Sequence, residues 1–173
     1  MPMEDWVRER LEALPVSAIE QCGTYRFSVE PLTDPVWEEV ERLGAKHFVE
    51  MAAHHLGEAY FPDKEGRQND CAMGRLYACV VRDEGGVMVG YALLYLFKNR
   101  NSQETQVRED ALFIDQAHRR GRLFDRFMTY LETLAKRAGA TKSRIQVCIG
   151  ARNRRYVEKR GYREIATVME KDL

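Results

Sequence analysis

The spacing of apolar residues changes several times along this chain, and each change marks an element. Near the start, Trp6, Val7, Leu11 and Leu14 recur at helical spacing ahead of Pro15, which predicts a short amphipathic helix over Met3 to Leu14. From Thr24 to Leu32 the period shortens towards alternation (Tyr25, Phe27, Val29), as a half-buried strand requires. Asp34-Pro35 then supplies an N-cap and a proline suited to a first helical turn. Val36, Trp37, Val40 and Leu43 form the stripe of that helix, which is expected to run to about Met51 with a break near Gly44. A second helical piece is expected over Ala52 to Tyr60, and Pro62 to Gly74, polar and rich in breakers, reads as a mobile loop.

Leu76 to Arg82 and Val87 to Phe97 are apolar runs on either side of Asp83-Glu84-Gly85-Gly86, so they read as a hairpin. Lys98 to Gln106 is a polar hairpin loop, and Val107 to Ile114 is a further strand. Helical spacing returns at Leu123, Phe127, Leu131, Leu134 and Ala138, widened by Phe124, Met128 and Ala135, with Lys136 and Arg137 in the last turn and Gly139 closing it. Ile145, Val147 and Ile149 alternate as a strand, Ala151 to Lys159 reads as a helix stopped near Gly161, and Ile165, Thr167 and Met169 suggest a last strand. Helices that cross between strands imply parallel pairing and hairpins imply antiparallel pairing, so the sheet is expected to be mixed, in an α/β (α+β) fold.

Composition adds bounds. The 173 residues suit a single domain over 1–173, and 45% hydrophobic with 31% charged residues is ordinary for a soluble globular chain. No apolar run approaches the ~20 residues that span a bilayer, and Met1 to Arg10 lacks the apolar stretch of a signal peptide, so the cytoplasm is the expected location. Cys22, Cys71, Cys79 and Cys148 form no C-x-x-C pair and read as free thiols. The zero net charge conceals an asymmetry: residues 1–70 hold 15 acidic and 7 basic side chains, and residues 71–173 hold 12 and 20. An anionic ligand is therefore favoured in the second half.

The stretch that concentrates this chemistry is Asp115-Gln116-Ala117-His118-Arg119-Arg120-Gly121-Arg122-Leu123-Phe124, set between a strand and a helix start. Free N–H groups and a partial positive charge at such a start suit an anion, and Arg119, Arg120 and Arg122 make it phosphate-seeking. Here the chain resembles the GCN5-related N-acetyltransferases (GNAT), whose signature at this junction is Arg/Gln-x-x-Gly-x-Gly/Ala. Arg119 matches the first position, whereas Arg122 and Phe124 stand where the two glycines belong and Gly121 is displaced by one. The Phe124 ring either fills the ligand space or turns into the core.

The resemblance covers the chain from about residue 24 onward, with Met3–Leu14 as an extra helix, and implies a mostly antiparallel mixed central sheet flanked by helices. It implies acetyl-CoA as cosubstrate, its pyrophosphate wrapped by Ile114, Arg119, Arg120, Gly121, Arg122, Leu123 and Phe124, and transfer by direct attack of an acceptor amine, on a small molecule or a protein. It also implies a general base on the strand before the loop, where Glu109 and Asp110 point to opposite faces. A tyrosine on the last helix often protonates the departing thiolate. Tyr156 lies one residue before the matching place, Val157. His47, His54, His55 and Tyr60 would border the acceptor.

Similar glycine-poor versions occur among phage-encoded proteins. They suggest a rival reading, a catalytically weak member that binds a protein partner; a homodimer is a further expectation of the resemblance. His47, Glu50 and His54 fall at i, i+3 and i+7, which reads as a polar helix face rather than a metal site. Arg152, Arg154, Arg155, Lys159, Arg160 and Arg163 make the last helix basic, yet no nucleic-acid motif or interleaved aromatics accompany them.

Overall fold

The computed structural model describes residues 19–51, 59–147 and 154–166. The expected helix over 3–14, most of the second helical piece, residues 148–153 and the expected last strand beyond residue 166 lie outside these. The described elements run β1 (Glu20–Cys22), β2 (Tyr25–Glu30), α1 (Asp34–Glu50), α2 (Lys64–Ala72), β3 (Leu76–Arg82), β4 (Met88–Lys98) and β5 (Thr105–Ile114). A 3-10 turn at Gln116–His118, α3 (Leu123–Arg137), β6 (Lys142–Arg144) and α4 (Arg154–Lys159) complete the order.

The six strands form one sheet in sequential order, antiparallel from β1 to β5, with β6 parallel to β5. Of the two helical crossovers, only the one through α3 returns the chain parallel; α1 and α2 together bring it back antiparallel from β2 to β3. The sheet carries one apolar layer on each face, because strand side chains alternate. Phe27, Cys79, Ala92, Leu94 and Val107 pack under Phe127, Met128, Leu131 and Leu134 of α3. Ala78, Val80, Tyr91, Leu93 and Phe113 pack under Trp37, Val40 and Leu43 of α1.

Three expectations are corrected. Helix α1 runs unbroken through Gly44, which is buried where a Cβ would collide with the Tyr60 hydroxyl. The glycine there serves close approach rather than a break. The expected loop at 62–74 is largely helix α2. It has no apolar stripe and is held by polar contacts: the Asp63 side chain caps the Gly66 N–H at 2.9 Å, Gln68 donates to the Leu32 carbonyl, and Lys64 pairs with Asp34. Of the expected strand at 145–149, the described residues 145–147 are not strand, and the strand lies instead at Lys142–Arg144.

A buried ion cluster ties α1 to the sheet. Arg82 donates from Nε and Nη2 to the two oxygens of Glu30 at 2.9 and 2.7 Å, and from Nη1 to Glu39 and the Gly86 carbonyl. Glu39 in turn accepts the Met88 N–H, so α1, β2, β3 and β4 share one polar knot.

Candidate active site

The basic loop follows from β5 as expected, but its arginines divide. Arg119 folds back: Nε donates to the Ile114 carbonyl at 2.6 Å, Nη2 pairs with Glu50 of α1 at 2.7 Å, and the guanidinium lies 5.0 Å from the Phe113 ring centre. Lys46, also on α1, holds Asp115, and that contact keeps the Asp115 carboxyl below its ordinary range. The Glu50 of the expected polar face is thus an anchor for the loop, and His47 stacks on Phe113 at 5.1 Å. His54 is outside the described residues. Among the described residues no cluster of His, Cys, Asp and Glu could hold a metal ion.

Arg120 and Arg122 remain exposed at the loop surface. Gly121 takes φ +71° with open space where a Cβ would be, so a positive-φ glycine does sit here, one residue from the family position. Arg122 is the N-cap of α3 with φ −104°, an ordinary conformation for a side chain, and no side chain caps the helix start. The first turn of such a helix presents N–H groups that suit an anion. The side chains of Ile114 and Leu123 are core, 2% and 4% exposed, so they offer only backbone atoms.

Phe124 turns inward, packing on the α3 core and meeting the Tyr156 ring edge-on at 5.2 Å. Phe124→Gly should therefore cost about 2–3 kcal/mol of stability, from lost burial and poor helix propensity. It should leave acetyl-CoA affinity within about twofold, since the ring is clear of the helix start. Denaturation and calorimetry on the same variant check both halves; tighter binding would show that the ring obstructs the ligand.

Past the loop, the sheet parts. β6 pairs with β5 only across Gln106–Arg108 and Lys142–Arg144. At the next position the Gln146 N–H donates 3.1 Å to Glu109 Oε2 instead of to a strand carbonyl. Residues 145–147 of the expected strand carry no strand pairing, and the Gln146 N–H is taken by this side chain instead. The β5 edge from Glu109 to Ile114 is left unpaired by β6, and Glu109 stands at the fork. A bulge opposite Leu93 and Leu94 makes Asp110 the extra residue of β5, kinking the strand at the same point.

The two carboxylates face opposite sides of the sheet. Glu109 looks towards α3, in a niche with Leu94, Leu112, Met128, Leu131 and Ile145. Burial among these side chains pushes its carboxyl up to about 7, against the lowering effect of the Gln146 N–H. Asp110 looks towards α1, into a cavity of about 190 Å³ whose walls include Trp37, Gly44, His47, Tyr60, Arg67 and Tyr91. Arg67 donates to Asp110 from Nη2 at 2.9 Å and Nε at 3.2 Å. Of the four residues expected to border an acceptor, His47 and Tyr60 do line this cavity, and His54 and His55 lie outside the described residues. Burial, then the charge of Glu41, raises the Tyr60 hydroxyl above its ordinary range.

Sequence reasoning missed Arg67, Tyr91 and Gln146. Tyr91 was in reach, since it alternates within the expected β4; Arg67 was hidden in a helix without a stripe, and Gln146 acts through its backbone. Tyr156 is brought to the start of α3, where its hydroxyl donates to Asp125 at 2.9 Å. Burial and that bond raise its proton affinity. The basic last helix is partly neutralised: Arg160 clasps Asp125 and Glu132 of α3, and Arg154 pairs with Glu158 and Glu164.

Solved structures share this fold. The BH1408 protein of Bacillus halodurans, as a tetramutant, aligns with TM-score 0.69 at 18% identity over 85% of this chain and 99% of that one. An acetyltransferase of Trypanosoma brucei gives 0.63 at 18% over 86% and 99%. The aminoglycoside acetyltransferase meta-AAC0020 from an uncultured soil metagenomic sample, in complex with sisomicin, gives 0.66 at 15% over 87% and 97%. At such identities the likeness is one of fold, the mixed and mostly antiparallel α/β architecture of the acyltransferases. The model of the acetyltransferase (GNAT) family matches residues 37–162, and the chain belongs to that family. Acyl transfer to an amine is the family's general chemistry, with acetyl-CoA its usual donor. No curated protein sequence matches the chain.

Proposed function

We propose that this protein is an acetyl-CoA-dependent N-acetyltransferase in which Glu109 is the general base. The observation that carries the reading is the fork: a β5 edge that β6 leaves past Arg108, a carboxylate poised near neutrality, and a basic helix start with no side-chain cap among the described residues lie in one run of 16 residues, Glu109 to Phe124. The fit to the donor is good despite the missing glycines, because Arg122 needs no positive φ and Phe124 is folded away. The backbone N–H groups of the first α3 turn and the exposed Arg120 and Arg122 would hold a pyrophosphate, and the β5 edge beyond its pairing with β6 would pair with amide groups of the pantetheine arm. When bound, acetyl-CoA supplies an activated acyl thioester whose C–S bond breaks as the C–N bond to the acceptor forms.

The chain's own work is positioning and proton transfer. An acceptor amine at the fork loses one proton to become nucleophilic and a second, to water, as the amide forms. Glu109 Oε1, which accepts no hydrogen bond among the described residues, takes the first proton and passes it to solvent. The departing sulfur takes a proton from water, so one proton is released per turnover. Tyr156 supports the site by fixing α4 against α3, since its hydroxyl proton is engaged with Asp125.

The test is calorimetric titration with acetyl-CoA, alongside a melting curve. A hundredfold excess over the dissociation constant should add about 2.7 kcal/mol of stability. Arg120→Glu with Arg122→Glu should weaken binding and flatten its salt dependence. No heat and no melting shift at millimolar acetyl-CoA would remove the enzyme reading and leave a partner-binding role, for which capture through Arg155, Lys159 and Arg163 is the assay.

A further inference from the structure

The cavity on the α1 face carries information about the acceptor that the fold does not. Its volume, about 190 Å³, exceeds the roughly 150 Å³ that suffices elsewhere to enclose a benzene ring. Phe48 and Tyr60 give it a half-buried aromatic wall over the nearly buried Trp37, Tyr91 and Leu93, and His47 with the charged pair makes the rest of its surface polar. Gly44 at its floor leaves room for the hydroxyls of Tyr60 and Tyr91, which a Cβ would meet.

Against these walls stand one cation and one anion, Arg67 and Asp110, the charged side chains among its described lining. Their pairing is one-sided. Both Nε and Nη2 of Arg67 reach the same oxygen, Asp110 Oδ2, so Arg67 Nη1 and Asp110 Oδ1 carry no hydrogen bond among the described residues. Both side chains are partly open to the cavity, 28% and 30% exposed. A guanidinium edge therefore lies next to a free carboxylate oxygen, on the wall nearest the fork in β5.

Resting on the acetyl-transfer reading above, we propose that the acceptor is a small zwitterionic amine, an α-amino acid with an apolar or aromatic side chain. Its carboxylate meets Arg67 Nη1, its ammonium meets Asp110 Oδ1 beside Glu109's strand position, and its side chain fills the aromatic cavity. A polycation finds one carboxylate here, already shared with an arginine. An amine without an acid group forgoes the charge-assisted contact with Arg67. The polar pair thus selects the charge pattern, and the rings select the body.

The experiment titrates the full chain, without acetyl-CoA, with L-phenylalanine, L-leucine, phenethylamine, N-acetyl-L-phenylalanine and spermidine, following heat and melting temperature. L-phenylalanine or L-leucine should bind at least about tenfold more tightly than phenethylamine and N-acetyl-L-phenylalanine, each of which lacks one charge-assisted contact. In Arg67→Gln the preference for L-phenylalanine over phenethylamine should vanish. Should that variant fail to fold, the ligand series on the unchanged protein decides alone. Equal or tighter binding of phenethylamine or spermidine, or no binding of either amino acid, overturns the assignment. Amino-acid binding with no acetyl-CoA binding would instead sink the acetyl-transfer reading and leave the pocket as assigned.

Discussion

Glu109→Gln is expected to slow acetyl transfer by roughly 10²–10⁴-fold while leaving acetyl-CoA affinity nearly unchanged, because the loop contacts lie beyond the strand. The amide keeps an oxygen for the Gln146 N–H, so the fork should survive. In the unsubstituted enzyme the rate should rise with pH and level off above about 7, where burial has set this carboxyl. The deficit of the variant should shrink at high pH, as more of the amine arrives deprotonated. A second signature separates base from scaffold. The carboxyl is raised from 4.5 in the unfolded chain to about 7 in the folded one, so the native state resists ionising it. Folding stability is therefore lost as pH rises from 4.5 towards 7 and stays lower above that. Removing the charge should raise the melting temperature at pH 8 but not at pH 4. Asp110→Asn should act mainly on KM. Equal rates in Glu109→Gln and the unsubstituted enzyme would take Glu109 out of the mechanism.

Arg82→Met should cost about 3–5 kcal/mol at neutral pH, the usual penalty for stripping one partner from a buried ion cluster. Two carboxylates, Glu30 and Glu39, would be left without their shared cation, with Ser28, the Met88 N–H and the more distant charges of Arg26 and Arg42 to answer them. Burial alone would raise both carboxyls; the Arg82 hydrogen bonds overcome it and hold them below 4.5. The stability they contribute is thus present above 4.5 and lost as pH falls through the lower folded values. Urea denaturation at pH 7 and at pH 3 should show a large difference between the proteins at the first and a small one at the second. The same loss at both pH values would mean that Arg82 acts through its packing. Because Met88 begins β4 and Glu39 lies on α1, loosening this knot should also weaken acceptor binding in the cavity that α1 roofs.

Local pattern was enough for much of this molecule. The stripes of α1 and α3 and the alternation of β2 are set by side chains spaced for one buried face, and the apolar runs of β3 and β4 by burial on both faces. Those elements stand where the periodicity places them. The basic strand-to-helix loop, the resemblance to GNAT it carries, and the presence of Glu109 and Asp110 on β5 were also legible, because each depends on neighbours within a few residues. Helix α2 was not, since Asp63, Lys64 and Gln68 hold it through a local cap and through contacts with α1 and the turn before it rather than through an apolar stripe. The division of labour between the arginines was not legible either. Arg119 is taken by Glu50, 69 residues away, while Arg120 and Arg122 are left at the surface. Nor could the sequence say that β6 would part from β5, because the deciding bond joins the Gln146 backbone to the Glu109 side chain. Spacing fixed which residues could face a cleft, and long-range hydrogen bonds decided where the cleft would open, since a strand continues only while its neighbour's backbone answers it.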